Sequence, residues 1–428
     1  MNANTSHAGP GSAGIIVIGG GPAGLMAAGR AAELGAKTTL IEKNQRLGIK
    51  LLITGGGRCN VTNSAGVKGF IEAFGRNGKF LYRALSVFSN QSLTGFLNSH
   101  GVPTRVDPDG KIFPSDDKAQ SVLSALSAYL RHGKVKVACG LGASGILIQN
   151  GSVEGVRFSD GTVIRAGRII IATGGMSYPE TGSTGEGYAW AKQCGHTITP
   201  LRPGLTALES DEPFIKELQG LTLQNITIAV LINGRKAAAE KGDLLFTHFG
   251  VSGPKLLVLS GIAVDALREP GGKVELSLNL KPELSPDGLT AEIQKYFSGH
   301  GARMFASYLK EALPASLAPV FERRCGIDRA RQCASITGAE RKKIAGLFGD
   351  FRLHLTRPRP LREATVTRGG IDLAEINPLT MESRLVRGLY FCGEVLDLDG
   401  ITGGYNLQEA FSTGYLAGQS AAASSGAE

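Results

Sequence analysis

Ile15-Ile16-Val17-Ile18 runs straight into Gly19-Gly20-Gly21-Pro22-Ala23-Gly24, and this junction limits the possible folds more than any other feature of the chain. Four apolar, mostly β-branched residues predict a buried strand. The six residues that follow satisfy G-x-G-x-x-G, and the Ala-rich stretch 24–35 predicts a helix. Thr38-Thr39-Leu40-Ile41 predicts a second strand, ending on Glu42, 18 residues beyond Gly24. Strand, tight turn, helix and strand in about 30 residues make a βαβ unit, which requires a parallel sheet and an α/β fold. In that setting the glycines are a dinucleotide-binding fingerprint. Gly19 permits the tight turn, Gly21 lets the backbone approach a pyrophosphate, and Gly24 lets the helix pack on the strand. Pro22 and Ala23 open a helix whose free N–H groups suit phosphates. Glu42 offers acceptors to two ribose hydroxyls. The fingerprint serves NAD and FAD equally.

Composition adds a few exclusions. The 428 residues, 42% apolar and 19% charged, suit a soluble globular chain of two to three domains. Gly is in excess, with 60 residues clustered in short runs of no fixed period, which predicts ligand loops and excludes collagen. Six Cys form no C-x-x-C pair, so neither a disulfide scaffold nor a metal site is expected, and a reducing cytoplasm fits. Residues 1–14 carry no basic or long apolar segment and are expected to be a flexible tail rather than a secretory signal. The apolar stretch 15–28 is too broken by Gly and Pro to span a membrane.

The net charge of +9 is unevenly placed, because residues 301–362 hold 13 Lys or Arg against 5 Asp or Glu, an excess of +8. A local excess of this kind can attract a phosphate-rich partner. Arg323, Arg324, Arg341, Lys342 and Lys343 are the expected contacts, with nucleic acid as the partner. A solvated helix face is the alternative. Acids are too scarce nearby for sign-balanced pairing to be expected.

Along the rest of the chain, short strands are predicted at 135–138, 145–149, 153–158, 163–165 and 168–171, with hairpin turns at Asn150-Gly151 and Asp160-Gly161. Residues 201–288 read as β-rich and 289–351 as helical. Strands then return, and a last helix leads to a short tail at 421–428.

Three segments choose between cofactors. Gly388-Leu389-Tyr390-Phe391-Cys392-Gly393-Glu394, followed by Gly403-Gly404-Tyr405-Asn406-Leu407-Gln408-Glu409-Ala410, resembles the C-terminal FAD motif of flavoproteins related to fumarate reductase. Ala172-Thr173-Gly174-Gly175 and Thr184-Gly185-Glu186-Gly187 resemble the ATGG and TGDG segments of the same superfamily, with Glu186 in place of Asp. Leu51-Leu52-Ile53-Thr54-Gly55-Gly56-Gly57-Arg58-Cys59-Asn60-Val61-Thr62-Asn63 resembles the signature of the BaiN-like family of FAD-dependent oxidoreductases. Ser177-Tyr178-Pro179, the segments 245–254 and 363–370, and Gly393-Glu394-Val395-Leu396-Asp397 extend that resemblance along most of the chain.

The resemblance implies a Rossmann-like FAD-binding domain in two parts, 15–200 and 352–420. A substrate domain would be inserted between them, β-rich over 201–288 and helical and basic over 289–351, with a ligand held against the flavin. It also implies FAD, NAD(P)H as transient electron donor, and reduction of a C=C bond conjugated to a carbonyl. Family substrates include a uridine of ribosomal RNA, reduced to dihydrouridine, as well as small enones and a small amine. The flavin contacts it implies beyond the fingerprint are Lys43, Arg46, Lys50, Thr54, Gly57, Arg58, Val137, Thr173, Gly174 and Gly175. From the C-terminal motif come Gly393, Glu394, Asp397, Gly404, Tyr405, Asn406 and Leu407, with Glu394 toward the ribitol and a helix N-terminus facing the pyrimidine ring. No second fingerprint follows a strand, so a nicotinamide would dock at the flavin face. Hydride addition to the alkene needs a proton for the other carbon, hence a positioned donor. Three candidates stand out. Cys59, beside Arg58 in a Gly-rich turn, is expected to be exposed with a lowered pKa; His248 and Tyr178 are the others. Each has a plain structural reading as a packing or hydrogen-bonded residue.

Overall fold

A computed structural model describes residues 13–423. The chain up to Arg202 and again from Leu361 forms one compact unit, and Pro203–Pro360 forms a second.

In the first unit β1 (Ala13–Ile18), α1 (Pro22–Glu33) and β2 (Thr38–Glu42) make the βαβ start. β3 (Lys136–Cys139), β4 (Ala143–Gln149), β5 (Ser152–Phe158), β6 (Val163–Ile171) and β7 (Leu389–Phe391) complete a seven-stranded sheet. Its order is β3-β2-β1-β6-β5-β4, with β7 beside the end of β6. β1 runs parallel to β2, with Ile16 opposite Thr39, and to β6, with Val17 opposite Ile170. β3 and β7 also join in parallel, whereas β4, β5 and the first part of β6 are antiparallel. Ile15, Ile16, Val17, Ile169, Ile170 and Ile171 are fully buried, as strands covered on both faces must be.

Three expectations about element ends need correction. The strands expected at 163–165 and 168–171 are one, because Ala166 pairs with Ala13 and the ladder runs on through Gly167. The same pairing starts β1 at Ala13, inside the stretch expected to be a tail; residues 1–12 lie outside the described residues. The last helix, Tyr405–Ala423, continues beyond 420 with Ala421 fully buried, and residues 424–428 lie outside the description. This helix packs on α1 at backbone contact distance. A Cβ on Gly414 would stand 2.3 Å from the Ala23 carbonyl oxygen, and one on Gly418 2.2 Å from that of Ala27.

The second unit is built on a seven-stranded sheet whose longest hairpin pairs Thr222–Ile232 with Arg235–Phe246 around Asn233-Gly234. The region expected to be all strand also contains a helix, Pro254–Ala266, started by a proline at its first position. Helices Pro286–Gly299, Phe305–Ala312, Leu317–Cys325 and Gly338–Gly349 follow. Sheet and helices share one core that buries Phe246, Phe297, Phe305, Phe321 and Phe348. Among the described residues no helix is long and apolar enough to cross a membrane.

The basic stretch is far more compensated in space than along the chain. Arg323 makes a two-pronged bond to Glu217 at 2.7 and 2.8 Å. Arg324 stacks over Phe214 and Phe351 and donates to the Arg352 carbonyl. Arg341 donates to the Ile336 carbonyl, and Arg357 and Arg359 share Glu209. Only Lys342 and Lys343 of the five expected nucleic-acid contacts have neither an ion pair nor a hydrogen bond with a described residue. Contrary to expectation, pairing accounts for much of the charge, because acids from preceding segments, Glu209 and Glu217, add to those within the basic stretch, such as Glu311 and Glu340. Over Pro203–Pro360, 21 Lys or Arg stand against 17 Asp or Glu, an excess of +4.

Candidate functional site

The site begins where β1 turns into α1. Gly19 has φ +110°, and a Cβ on it would lie 2.3 Å from the Ala172 carbonyl oxygen. A Cβ on Gly24 would lie 1.8 Å from the Gly19 carbonyl oxygen. Gly21 differs, since a Cβ there would meet nothing within 4 Å. α1 starts at Pro22 with no side-chain cap and no acid in its first turn, so its leading N–H groups remain for an anion. Glu42 braces the turn, taking the Gly20 N–H on Oε2 and the Asn44 N–H on Oε1, both at 2.8 Å. A carboxylate has about four lone-pair sites, so capacity remains for ribose hydroxyls. Val137 on β3, opposite Leu40 of β2, leaves an apolar surface 40% exposed, and Arg46 is exposed.

At the ends of β6 and β7 the loops meet on one carboxylate. Glu394 accepts from Lys50 Nζ at 2.7 Å, Thr367 N at 2.9 Å, Ser177 Oγ at 3.1 Å and Gly175 N at 3.3 Å. Lys50 also donates to Ser177 Oγ at 2.8 Å. Glu394 thus knits four chain segments together, and the lone pairs expected for a ribityl chain are used internally. Lys43 bonds Thr184 and Glu186. Gly393 sits where a Cβ would come within 2.8 Å of Ala23 at the head of α1.

The two glycine signatures, some 340 residues apart, touch directly. Asn63 Nδ2 donates to the Gly403 carbonyl at 3.0 Å. The Asn60 amide, in the orientation that satisfies both its ends, takes the Gly404 N–H at 2.9 Å. Gly404 has φ +92°, and a Cβ on it would lie 2.2 Å from the Thr62 carbonyl oxygen. Asn406 both accepts from and donates to the Gly400 backbone, at 2.8 and 2.9 Å, closing the loop before its own helix. Tyr405 meets Phe70 edge-on at 5.0 Å, Leu407 packs on the core, and the Asp397 carbonyl takes a bond from Asn77 at 2.7 Å. Thr54 donates to Leu51; beyond Gly57, the exposed Arg58 guanidinium stacks on Phe113 at 4.6 Å.

Two buried hydroxyls have no hydrogen-bond partner: Thr173 Oγ1 beside the first cradle and Thr62 Oγ1 beside the second. Open space at Gly21, an uncapped α1 and these orphaned hydroxyls fit a dinucleotide cofactor of the FAD type.

The candidate proton donors separate. Cys59 is fully buried, not exposed, and burial pushes its thiol up to about 12, opposite to the expected direction. Iodoacetamide at neutral pH is therefore expected to modify the exposed Cys139 and to reach Cys59 only on unfolding. Peptide mapping showing equal labelling of both in the native protein would contradict that burial. Tyr178 is half-buried and held at φ +52°, next to Ser177 of the Glu394 network. His248 lies in the second unit, exposed, with its ring edge-on to Phe249 at 5.0 Å. Sequence reading missed a buried array in which His196 bridges Glu375 at 3.0 Å and Ser383 at 2.8 Å. Ser383 Oγ is closed off by the Leu385 and Val386 N–H groups, so the array braces a loop and offers no nucleophile.

The chain is similar to known proteins over nearly its whole length. The profile described as the HI0933-like protein Rossmann domain matches residues 13–420. A 3-dehydro-bile acid delta(4,6)-reductase of Clostridium scindens is 32% identical over 419 residues, covering 95% of this chain and 98% of that protein. A ribosomal RNA dihydrouridine synthase of Escherichia coli is 30% identical over 415 residues, covering 94% and 96%. In fold, the chain is similar to a flavocytochrome c3 fumarate reductase, with TM-score 0.53 at 18% identity over 97% of this chain and 79% of that one. With its profile matched almost end to end and reductases similar over nearly their whole length, the chain belongs to the HI0933-like (BaiN-type) family of FAD-dependent Rossmann proteins.

Proposed function

We propose that this FAD-dependent reductase uses NAD(P)H to reduce a C=C bond conjugated to a carbonyl, and that its substrate is a uridine in ribosomal RNA, converted to dihydrouridine. The carrying observation is the convergence of both glycine cradles and two helix N-termini in the first unit, in a chain similar end to end to a dihydrouridine synthase. Bound FAD supplies hydride-level chemistry between a nicotinamide and an electron-poor alkene. This chain's residues do the rest. Gly21 and the head of α1 would hold the pyrophosphate, and Glu42 would hold the ribose. The N-terminus of the Tyr405–Ala423 helix would favour negative charge on a flavin ring held there. Tyr178 is taken as proton donor, because it is a half-buried hydroxyl that follows Ser177 of the Glu394–Lys50 network, whereas Cys59 is fully buried with its thiol pushed up.

Nucleoside mass spectrometry of ribosomal RNA from cells with and without this protein tests the substrate. Loss of a dihydrouridine on deletion is the expected result, with Tyr178→Phe failing to restore it while still being reduced by NADPH. An unchanged dihydrouridine content would turn the assignment to a small enone, the reading favoured by the internal pairing of Arg323 and its neighbours.

A further inference from the structure

One local group of cations without ion-pair partners lies in the first unit. No Asp or Glu occurs over residues 73–106. Within it, Gly75–Leu81 is a 3-10 helix continued by the α-helix Tyr82–Val87. At three residues per turn, Arg76, Lys79 and Tyr82 fall in one row, with Arg83 beside its end. All four side chains are exposed, Tyr82 by 64%. Arg76, Lys79 and Arg83 make no ion pair with any described residue. The row cannot roll inward, because its other side is anchored: Leu81, Ala84 and Leu85 are buried, and a Cβ on Gly78 would stand 1.9 Å from the Ile71 carbonyl oxygen.

This row is fastened to the loop that leads into the C-terminal helix. Asn77 donates to the Asp397 carbonyl at 2.7 Å, and the Ile401 N–H donates to the Ala73 carbonyl at 3.2 Å. Phe74 lies so close under Gly400 that a Cβ there would come within 2.8 Å of its ring. Gly400 is the residue clasped by Asn406 at the head of that helix.

We propose that Arg76, Lys79, Tyr82 and Arg83 form the RNA-contact surface, taking the phosphates that flank the reduced base and stacking a neighbouring base on Tyr82. This deepens the RNA reading above and rests on it. A base presented for chemistry must leave its stack. Cations with no carboxylate partner keep their charge for phosphate, and an exposed aromatic face takes an unstacked neighbour. Three cations alone would suit any polyanion; the aromatic in their row selects nucleic acid.

The test uses the full-length, FAD-loaded protein and a short single-stranded RNA containing uridine, with the dissociation constant measured over a potassium chloride series. Replacing Arg76, Lys79 and Arg83 together by Ala should lower the salt slope by about 2, at ~0.7 per lost contact on a single strand. Tyr82→Ala should weaken binding roughly tenfold, and Tyr82→Phe should not. The positions are exposed, so unchanged melting temperature and flavin content certify the fold. Wild-type slope in the triple variant, wild-type affinity in Tyr82→Ala, or competition by polyglutamate as effective as by RNA, each overturns the surface. If the protein binds RNA through these residues but reduces no uridine, the substrate reading fails and the surface stands. If patch variants bind and reduce RNA like wild type, the surface fails and the substrate reading stands.

Discussion

Gly24→Ala is expected to give a protein that melts earlier than FAD-stripped wild type and carries almost no FAD, while Gly21→Ala melts like FAD-stripped wild type and also loses FAD. The difference lies in what each glycine faces. A Cβ on Gly24 would stand 1.8 Å from the Gly19 carbonyl oxygen and 3.2 Å from the Ala172 side chain. No rotation relieves a clash with backbone, so α1 must lift from β1. Overpacking of this kind costs about 1–3 kcal/mol or more, and the shift also carries the first N–H groups of α1 away from the pyrophosphate. A Cβ on Gly21 meets no protein atom within 4 Å. It therefore leaves the fold alone and fills only the space the cofactor's phosphates need. Flavin absorbance per protein, read beside a thermal melt, separates the cases. Full flavin occupancy in Gly21→Ala would show that the pyrophosphate does not lie against that turn.

Glu394→Ala is expected to destabilise the first unit by about 2–4 kcal/mol and to release the flavin. Hydrogen bonds to a charged group contribute about 1.5–3 kcal/mol each in favourable settings. Four converge here, but they are not additive, and about a fifth of the Lys50 and Glu394 side-chain surface remains exposed to screening solvent. The total therefore falls well short of four separate bonds. Glu394→Gln keeps an oxygen for Thr367 N and should lose less, because it mainly removes the charge opposite Lys50. A double-mutant cycle with Lys50→Met isolates that pair. Urea midpoints and retained flavin report both effects. A Glu394→Ala protein that unfolds at the wild-type urea concentration would show that the four contacts carry no stability.

The βαβ start, the roles of Gly19 and Gly24 and the place of Glu42 followed from apolar runs, glycine spacing and a strand end. Each of these is a local backbone requirement, written within some 30 residues of chain. The FAD assignment needed the motif resemblance, because the fingerprint alone does not distinguish the two dinucleotides. Beyond that reach, sequence was a poor guide. Scarce acids around 301–362 suggested bare cations, yet Glu217 and Glu209, 106 and 148 or more positions away, hold Arg323, Arg357 and Arg359. A Gly-rich turn beside an arginine suggested an exposed thiol, yet Cys59 is inside the core. Lys50 and Glu394, 344 residues apart, bore no mark of their pairing, nor did His196, Glu375 and Ser383. The reason is physical. Steric limits and hydrophobic periodicity act between near neighbours and leave a pattern in the sequence. Burial of a thiol, and the partner that a charge finds, depend on which distant segments the packed core brings together. The sequence by itself determined the fold class and the nucleotide cradle; only the tertiary structure decided which charges are spent within the protein and which remain for a partner.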